Sequence, residues 1–503
     1  MTSPVNPLPL PVVRARKGGV WIPSLRARVT THLDEASPED DLTLIRAWAR
    51  RAEETWNRDK PPESGLGGSV RLRGLFPYQE WGAYRLAHSR CVLLADEPGL
   101  GKTAQVAAAL SLTTPPIQKS ILVLCPASVK FFWARELRRW AGIEATVVSG
   151  MDGPPIKGPG VWVMNYRLAP ARIPSGAFFQ AVILDEAHYI KTLDARRSAA
   201  VHSLKSVVRW ALTGTPILNR PAELYSVLFW IDPLGWPRKW DFYKTFCGMF
   251  YGPRGLDISG ATNLGLLRTR LQRTVLIRRT KTQVLPQLPP KRYQLLERAG
   301  NPETSRWSES VLEAAFGQNE DLGQMSPEDF FSRLGRLRFL AAGPMAEHVA
   351  TARRLLGVSK VAWAIEEIRD HLRTGEPLVV WAWHREVLQA LKKAFPRAEA
   401  ITGSTPSGAR QRAVERFQRG RANLFLGQIQ AAGQGITLTR ASTALFVEVD
   451  WVPANISQAE DRIHRIGQQN PCLYKFLVWA GSLDALVLQK VREKQEVLDE
   501  LWG

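Results

Sequence analysis

Cysteine is scarce in this chain, and its few copies are scattered. Cys91, Cys125, Cys247 and Cys472 are the four among 503 residues, and no two form a C-x-x-C pair. No disulfide framework or zinc site is implied. Three of the four lie in or beside apolar runs, which fits core thiols in a reducing compartment. Long hydrophobic runs are missing too: no stretch approaches the roughly 20 apolar residues of a membrane span. The opening residues, MTSPVNPLPLPVV, are broken by proline and carry no basic leader. They read as an extended or disordered arm and not as a signal peptide. Acid is in short supply, with 47 Asp and Glu against 67 Lys and Arg, a formal charge of +20. A balance this basic suggests a polyanionic partner, with nucleic acid the default. On composition alone, a protein that is merely basic remains the alternative.

What the chain does have is apolar content, 45% hydrophobic, enough at this length to bury two cores. It is organised around Leu93–Thr103, LLADEPGLGKT. The apolar run Cys91–Ala95 reads as a buried strand and Ala104–Leu112 as a helix. Between them lie Gly99, Gly101 and then Lys102-Thr103. Strand, glycine loop, Lys-Thr and helix form a nucleotide-phosphate cradle. Loop amides and the helix N-terminus point at phosphate, Lys102 reaches the outer groups, and the Thr103 hydroxyl can ligate Mg²⁺. The strict pattern places glycine six residues before the lysine, where this chain has Asp96.

The surrounding sequence fits an alternating α/β lobe. Residues 1–33 carry five basic residues from Arg14 to Arg28, either a nucleic-acid contact or a solvated arm. Ser37-Pro38-Glu39-Asp40 starts a helix expected to reach Trp56. Lys60–Gly68 is a linker, which sets a boundary near residue 69. The Gln79 amide can donate to and accept from an adenine edge. Strands are expected at Ser120–Cys125, Val161–Met164, Ala181–Leu184 and Val208–Leu212. The third delivers Asp185-Glu186-Ala187-His188 at its carboxyl end, where ligands of open α/β sheets sit. There Asp185 can hold Mg²⁺ and Glu186 can polarise an attacking water. His188 either couples this loop to the next or simply packs. Thr213-Gly214-Thr215-Pro216 ends the fourth strand.

Trp230–Thr262 is dense in aromatics and glycine and shows little periodicity. Leu264–Leu276 reads as a helix. The basic stretch Arg278–Lys281 faces either a phosphate backbone or solvent. Residues 300–357 read as helical protrusion and linker. A second α/β region then shows strands at Leu378–Trp383, Asn423–Gly427, Ala444–Val449 and Tyr474–Val478, with helices at Arg385–Phe395, Gly408–Phe417 and Ser482–Leu501. It has no second phosphate loop, so it should partner the nucleotide without being its main holder. Arg462 and Arg465, three apart, are expected on one helix face; on spacing alone they are either two solvated arginines or guanidiniums able to neutralise charge developing on a γ-phosphate.

LADEPGLGKT, LDEAH, LTGTPILNRPAELY and QAEDRIHRIGQ, in this order, resemble the SNF2 family of superfamily 2 helicase-like motors. NLGLLRTRLQRTVLIRRTKTQVLPQLPPK is most similar to its annealing-helicase (HARP-type) branch. That family often carries aspartate at the Asp96 position. Pro98 stands where the family usually has methionine, and it removes an N–H from the loop. The resemblance implies an α/β fold of two RecA-like lobes, with parallel sheets flanked by helices, helical protrusions and a short N-terminal extension. The implied order is extension 1–69, ATPase lobe one 70–299, protrusion and linker 300–357, and lobe two 358–503. It also implies a DNA-stimulated ATPase using ATP and Mg²⁺. Lys102, Asp185, Glu186, Arg462 and Arg465 would be catalytic, the two arginines as fingers. Gln79, Asp96, Gly99, Gly101, Thr103, Gly435 and Gln458 would hold nucleotide, and Ser128, Thr405 and Arg410 would touch the DNA backbone. The expected state is a monomer on duplex or forked DNA, in a nucleoid-bearing cytoplasm or a nucleus.

Three readings stand at this point. One is a duplex translocase that rewinds or remodels DNA. The second is a strand-separating helicase on the same fold. The third is a DNA-binding scaffold that hydrolyses nothing, or hydrolyses only with a partner.

Overall fold

The computed structural model describes residues 74–502, apart from 114–119, 157–158, 215–219, 237, 253–254, 259, 301, 318–321, 328–329, 332, 335–343 and 433–434. The helix expected over Ser37–Trp56, the boundary near 69, Thr215-Pro216, Gly433 and Gln434 lie outside the described residues. The described chain divides into two compact units. The first takes residues 74–95, 101–214 and 220–278; the second takes 96–100 and 279–502.

The first unit is built on seven strands. They are β1 (Cys91–Leu94), β2 (Ser120–Cys125), β3 (Thr146–Val147), β4 (Gly160–Asn165), β5 (Phe178–Asp185), β6 (Lys205–Leu212) and, beyond a small hairpin, β9 (Leu276–Ile277). Their order is β3-β4-β2-β5-β6-β1-β9, and every pair is parallel. Parallel strands covered on both faces need unbroken apolar runs, and the sequence supplies them: Val92, Leu93, Leu94, Ile121–Cys125 and Ala181–Leu184 are all fully buried. Because all strands run one way, the carboxyl ends of β1, β2, β5 and β6 share one edge of the sheet. The phosphate loop, Ser128, Asp185 and Thr213 all follow those ends.

One expectation needs correction in this unit. The helix read as Leu264–Leu276 stops at Gln272. Thr274 and Val275 are β-branched and favour extended backbone, and the chain that follows completes the sheet beside β1. Leu93 N–H donates to Val275 O at 2.8 Å and Ala95 N–H to Ile277 O at 2.7 Å. The aperiodic stretch Trp230–Thr262 holds a helix, Lys239–Phe246, and an antiparallel hairpin of β7 (Phe250–Gly252) and β8 (Gly255–Asp257).

The second unit has six parallel strands: β10 (Lys291–Ala299), β11 (Leu378–Ala382), β12 (Glu399–Ile401), β13 (Leu424–Gln428), β14 (Thr443–Phe446) and β15 (Cys472–Ala480). Their order is β10-β15-β14-β11-β13-β12. β10, inside the 70–299 span that the resemblance implies for lobe one, pairs along its whole length with β15, from Lys291 opposite Cys472 to Ala299 opposite Ala480. It is a mostly exposed edge strand, so burial does not dictate its residue types and hydrophobic pattern could not mark it. Residues 300–357 are also more integrated than a protrusion. Val311, Phe316, Phe330, Leu334, Ala352 and Leu356 share one core with Trp381, Phe425, Phe446 and Tyr474. The C-terminal helix, Leu483–Trp502, is tied to the same region. Lys490 Nζ donates to Gly323 O and Met325 O at 3.0 and 2.6 Å. No described helix is long and apolar enough to cross a membrane, and all four cysteines are buried and free.

Candidate active site

In the first unit, β1 runs into the phosphate loop and the helix Lys102–Leu112 begins at a left-handed Gly101, φ 76°. Only glycine fits there, for a conformational and a steric reason. Left-handed backbone is strained for a side chain, and a Cβ on Gly101 would overlap the Gln79 amide. Gln79 is itself buried and fixed: its Oε1 accepts the Phe76 N–H at 3.0 Å, which starts the helix Pro77–Ala87. The structure therefore places Gln79 against Gly101 of the loop. Lys102 and Thr103 occupy the first turn of the following helix, a turn that contains no acidic residue.

Asp185 ends β5 with its carboxylate held from two sides. Trp133, a fully buried side chain from the helix Lys130–Ala141, donates its indole N–H to Oδ2 at 2.7 Å. The Glu186 N–H donates to Oδ1 at 3.0 Å, and the Tyr166 hydroxyl donates to the Asp185 carbonyl at 2.8 Å. Burial and the neighbouring Glu186 push the Asp185 carboxyl up to about 7, against the pull of Trp133 and Lys102. A carboxylate poised so near neutrality is one that a divalent cation would hold ionised. Glu186 sits in left-handed backbone at φ 52°, rare for a residue with a side chain. The strain turns its carboxylate out of the strand into the 3₁₀ turn Ala187–Ile190. His188 Nδ1 lies 3.4 Å from Glu186 Oε2. Burial, then Lys191, push that imidazole down to about 4, so it is neutral and the contact is dipolar.

The second unit holds the rest. Asp96 is fully buried and takes a two-pronged pair from Arg279, Nε to Oδ1 at 2.9 Å and Nη2 to Oδ2 at 2.6 Å. Its side chain is thus engaged by Arg279. Gly99 is left-handed at φ 90°, and a Cβ there would meet Arg465 Cβ at 3.0 Å.

Arg462 and Arg465 are not on a helix, contrary to expectation. The helix Pro453–Glu460 ends before them, and the backbone continues in tight turns: Arg462 N–H to Ala459 O, Ile463 N–H to Glu460 O, Gln468 N–H to Arg465 O. Both guanidiniums nevertheless converge, reaching Ile436 O at 3.4 and 3.1 Å. Ile436 follows Gly435, which is left-handed at φ 72°. Gln458 is buried and its carbonyl accepts Arg462 Nε at 3.0 Å.

The three candidate DNA contacts divide between the units. Ser128 lies in the 3₁₀ turn Ala127–Val129 after β2. Thr405 lies in the turn after β12 and Arg410 in the first turn of the helix Ser407–Gln418, from which it braces the Thr405 and Thr402 carbonyls at 2.8 and 2.9 Å. Sequence reasoning missed Trp133, Arg279 and Lys281. An indole partner or a distant arginine leaves no local pattern, although the basic stretch Arg278–Lys281 was visible.

The SNF2-related domain matches residues 47–338, and the helicase conserved C-terminal domain matches 359–467. The chain is 32% identical over 515 residues to a SWI/SNF-related matrix-associated actin-dependent regulator of chromatin subfamily A-like protein 1 from Xenopus tropicalis, covering 99% of this chain and 49% of that protein. It is 32% identical over 457 residues to the human DNA annealing helicase and endonuclease ZRANB3, covering 85% of this chain and 40% of that one. The chain thus spans half or less of the length of these curated relatives. The Sulfolobus solfataricus SWI2/SNF2 ATPase core in complex with dsDNA aligns with a TM-score of 0.40 and 23% identity, over 86% of this chain and 93% of that one. With the SNF2-related domain matched over more than half its length and a helicase C-terminal domain following, this chain belongs to the SNF2-related family.

Proposed function

We propose that the chain is an ATP-driven DNA motor. The observation that carries the reading is the pair Asp185-Glu186 at the carboxyl end of β5, on the same sheet edge as the glycine-capped helix that starts at Lys102. Lys102 and the helix N-terminus would hold the phosphates of ATP, and Gln79 its base edge. Thr103 and Asp185 would hold Mg²⁺, which when bound neutralises charge on the phosphate oxygens. Glu186 would orient and polarise the attacking water, and Arg462 and Arg465 would meet charge developing on the γ-phosphate.

The surplus of 20 positive charges supports a backbone-directed, salt-sensitive hold on DNA. Because the human relative is named a DNA annealing helicase, rewinding or remodelling of duplex and forked DNA is the activity to test first.

The experiment is ATP turnover without DNA and with single-stranded, duplex and forked DNA, using Lys102→Ala as the blank. Duplex or fork stimulation lost in the blank supports the reading. Glu186→Gln and Arg465→Ala should each abolish turnover with DNA binding retained. No turnover on any DNA would favour the scaffold or partner-dependent alternative.

A further inference from the structure

The turn that carries Arg462 and Arg465 lacks a helix of its own to stiffen it, so something else must fix it. Two anchors are local: the two arginines on Ile436 O, and Gln468 Nε2 donating to Ala441 O at 2.8 Å and Ile463 O at 3.1 Å. The third comes from residues 279–293. Lys281 Nζ donates to Asp461 Oδ1 at 2.5 Å and to His464 O at 2.8 Å. Lys291 Nζ reaches Glu460 Oε2 at 2.8 Å and Asp461 Oδ1 at 3.0 Å. The Tyr293 hydroxyl adds a bond to Glu460 Oε2 at 3.1 Å, and Tyr474 donates to the Glu460 carbonyl at 2.9 Å. His464 Nε2 is 2.7 Å from Pro289 O.

The charge states agree with this geometry. Burial would raise the Asp461 carboxyl, but Lys281 and Lys291 hold it down to about 2. Burial, then Lys281 and Lys291, push His464 down to about 4. A neutral His464 that donates from Nε2 to Pro289 leaves Nδ1 as an acceptor, and Lys281 Nζ lies 3.5 Å from it.

Lys281 also works in a second direction. Its backbone N–H donates to Glu97 Oε2 at 2.7 Å, and the residue before the Thr280 cap, Arg279, grips Asp96. A single residue thus ties the glycine loop at 96–100 to the arginine turn at 461–465, backbone to one and side chain to the other.

We infer that Lys281, supported by Lys291 and Tyr293, is a positioning residue for Arg462 and Arg465. It holds their turn in register with residues 96–100, so the arginines are set before the transition state forms. This rests on the reading of those arginines as fingers. Such preorganisation acts on turnover and leaves ground-state binding alone.

The test is Lys281→Met, which deletes the ammonium and keeps the N–H to Glu97. DNA-stimulated kcat should fall between about tenfold and a hundredfold, the range expected when a reacting group shifts by up to an ångström. KM for ATP and binding of a fluorescent ATP analogue should stay near parental, while the melting midpoint should fall, because Asp461 loses one of its two cations and keeps only Lys291. Asp461→Asn should lower kcat similarly, and the double variant should be little worse than either single. Parental kcat in a folded Lys281→Met would overturn the inference. If that variant fails to fold, Tyr293→Phe decides, because its side chain is half exposed and only an oxygen is lost. A kcat drop of about twofold or more at unchanged KM supports the inference, and parental kinetics overturns it. Arg465→Ala runs alongside. Normal turnover there sinks the finger reading and this inference with it, whereas a silent Arg465→Ala beside a normal Lys281→Met sinks only the inference.

Discussion

Asp96 stands where the strict phosphate-loop pattern has glycine, so restoring the glycine is an obvious substitution, and the structure says it should do harm. The Asp96 carboxylate is fully buried and its two oxygens take Arg279 Nε and Nη2 at 2.9 and 2.6 Å. The Arg279 side chain keeps 12% of its surface exposed. Removing the guanidinium with Arg279→Leu strands a carboxylate out of reach of water, which costs about 3–5 kcal/mol. Asp96→Gly leaves the partly exposed guanidinium able to hydrate. It costs less, about 1–3 kcal/mol, and adds backbone freedom to a loop that has to be rigid. The double variant loses the pair together and should be no less stable than Arg279→Leu alone. That implies a coupling at least as large as the Asp96→Gly cost itself, so at least about 1 kcal/mol in the double-mutant cycle. Urea unfolding followed by tryptophan fluorescence reads the stability, and ATP turnover reads the loop. The reasoning fails if Asp96→Gly unfolds at the parental urea concentration or above and turns over ATP at least as fast.

Three further outcomes follow from the same geometry. Trp133→Phe removes a donor that holds the Asp185 carboxyl down. The group should then rise further above about 7, by roughly one pKa unit for a lost charge-assisted bond; half-saturating Mg²⁺ for turnover at pH 7 should increase and recover at higher pH. His464 stays neutral down to about 4, so the unfolded chain takes up its proton first as pH falls below 6.5. Stability of the second unit should drop between pH 6.5 and 4, by roughly 2 kcal/mol at pH 5, and His464→Gln should flatten that slope in calorimetry. Gly101→Ala combines a left-handed φ with overlap on Gln79; fluorescent-nucleotide affinity should fall by at least about tenfold, a cost of more than 1.4 kcal/mol.

The legible parts of the fold are those where burial dictates residue type. Strands β1, β2, β5, β11 and β13 are continuous apolar runs because both of their faces are covered, and such runs can be read without a structure. β10 shows the converse. KRYQLLERA is mostly exposed, and only its hydrogen bonds to β15 make it a strand. Residues 300–357 read from sequence only as helical protrusion and linker, without the bounds of the helices Pro302–Phe316 and Pro344–Ser359. That Val311, Phe316 and Leu356 complete the core of the second sheet depends on contacts far along the chain, which no local pattern carries.

The site divides along the same line. Groups that chemistry must place within a few residues of each other, Lys102 with Thr103 and Asp185 with Glu186, announce themselves by spacing. Groups that act through a partner do not. Arg462 and Arg465 make the distinction sharpest, because the helix face inferred from their spacing does not exist, yet both side chains meet at Ile436 O. A helix would have fixed them by its own periodicity and needed no outside support. A turn has no such regularity, and its geometry is only as good as its anchors. The lysines and tyrosine that supply those anchors lie some 170 residues away, with Lys281 and Asp461 separated by 180 positions. A residue pattern can therefore identify which groups carry the chemistry of this chain, while the precision with which they are held is written in the distant basic stretch from Arg279 to Tyr293.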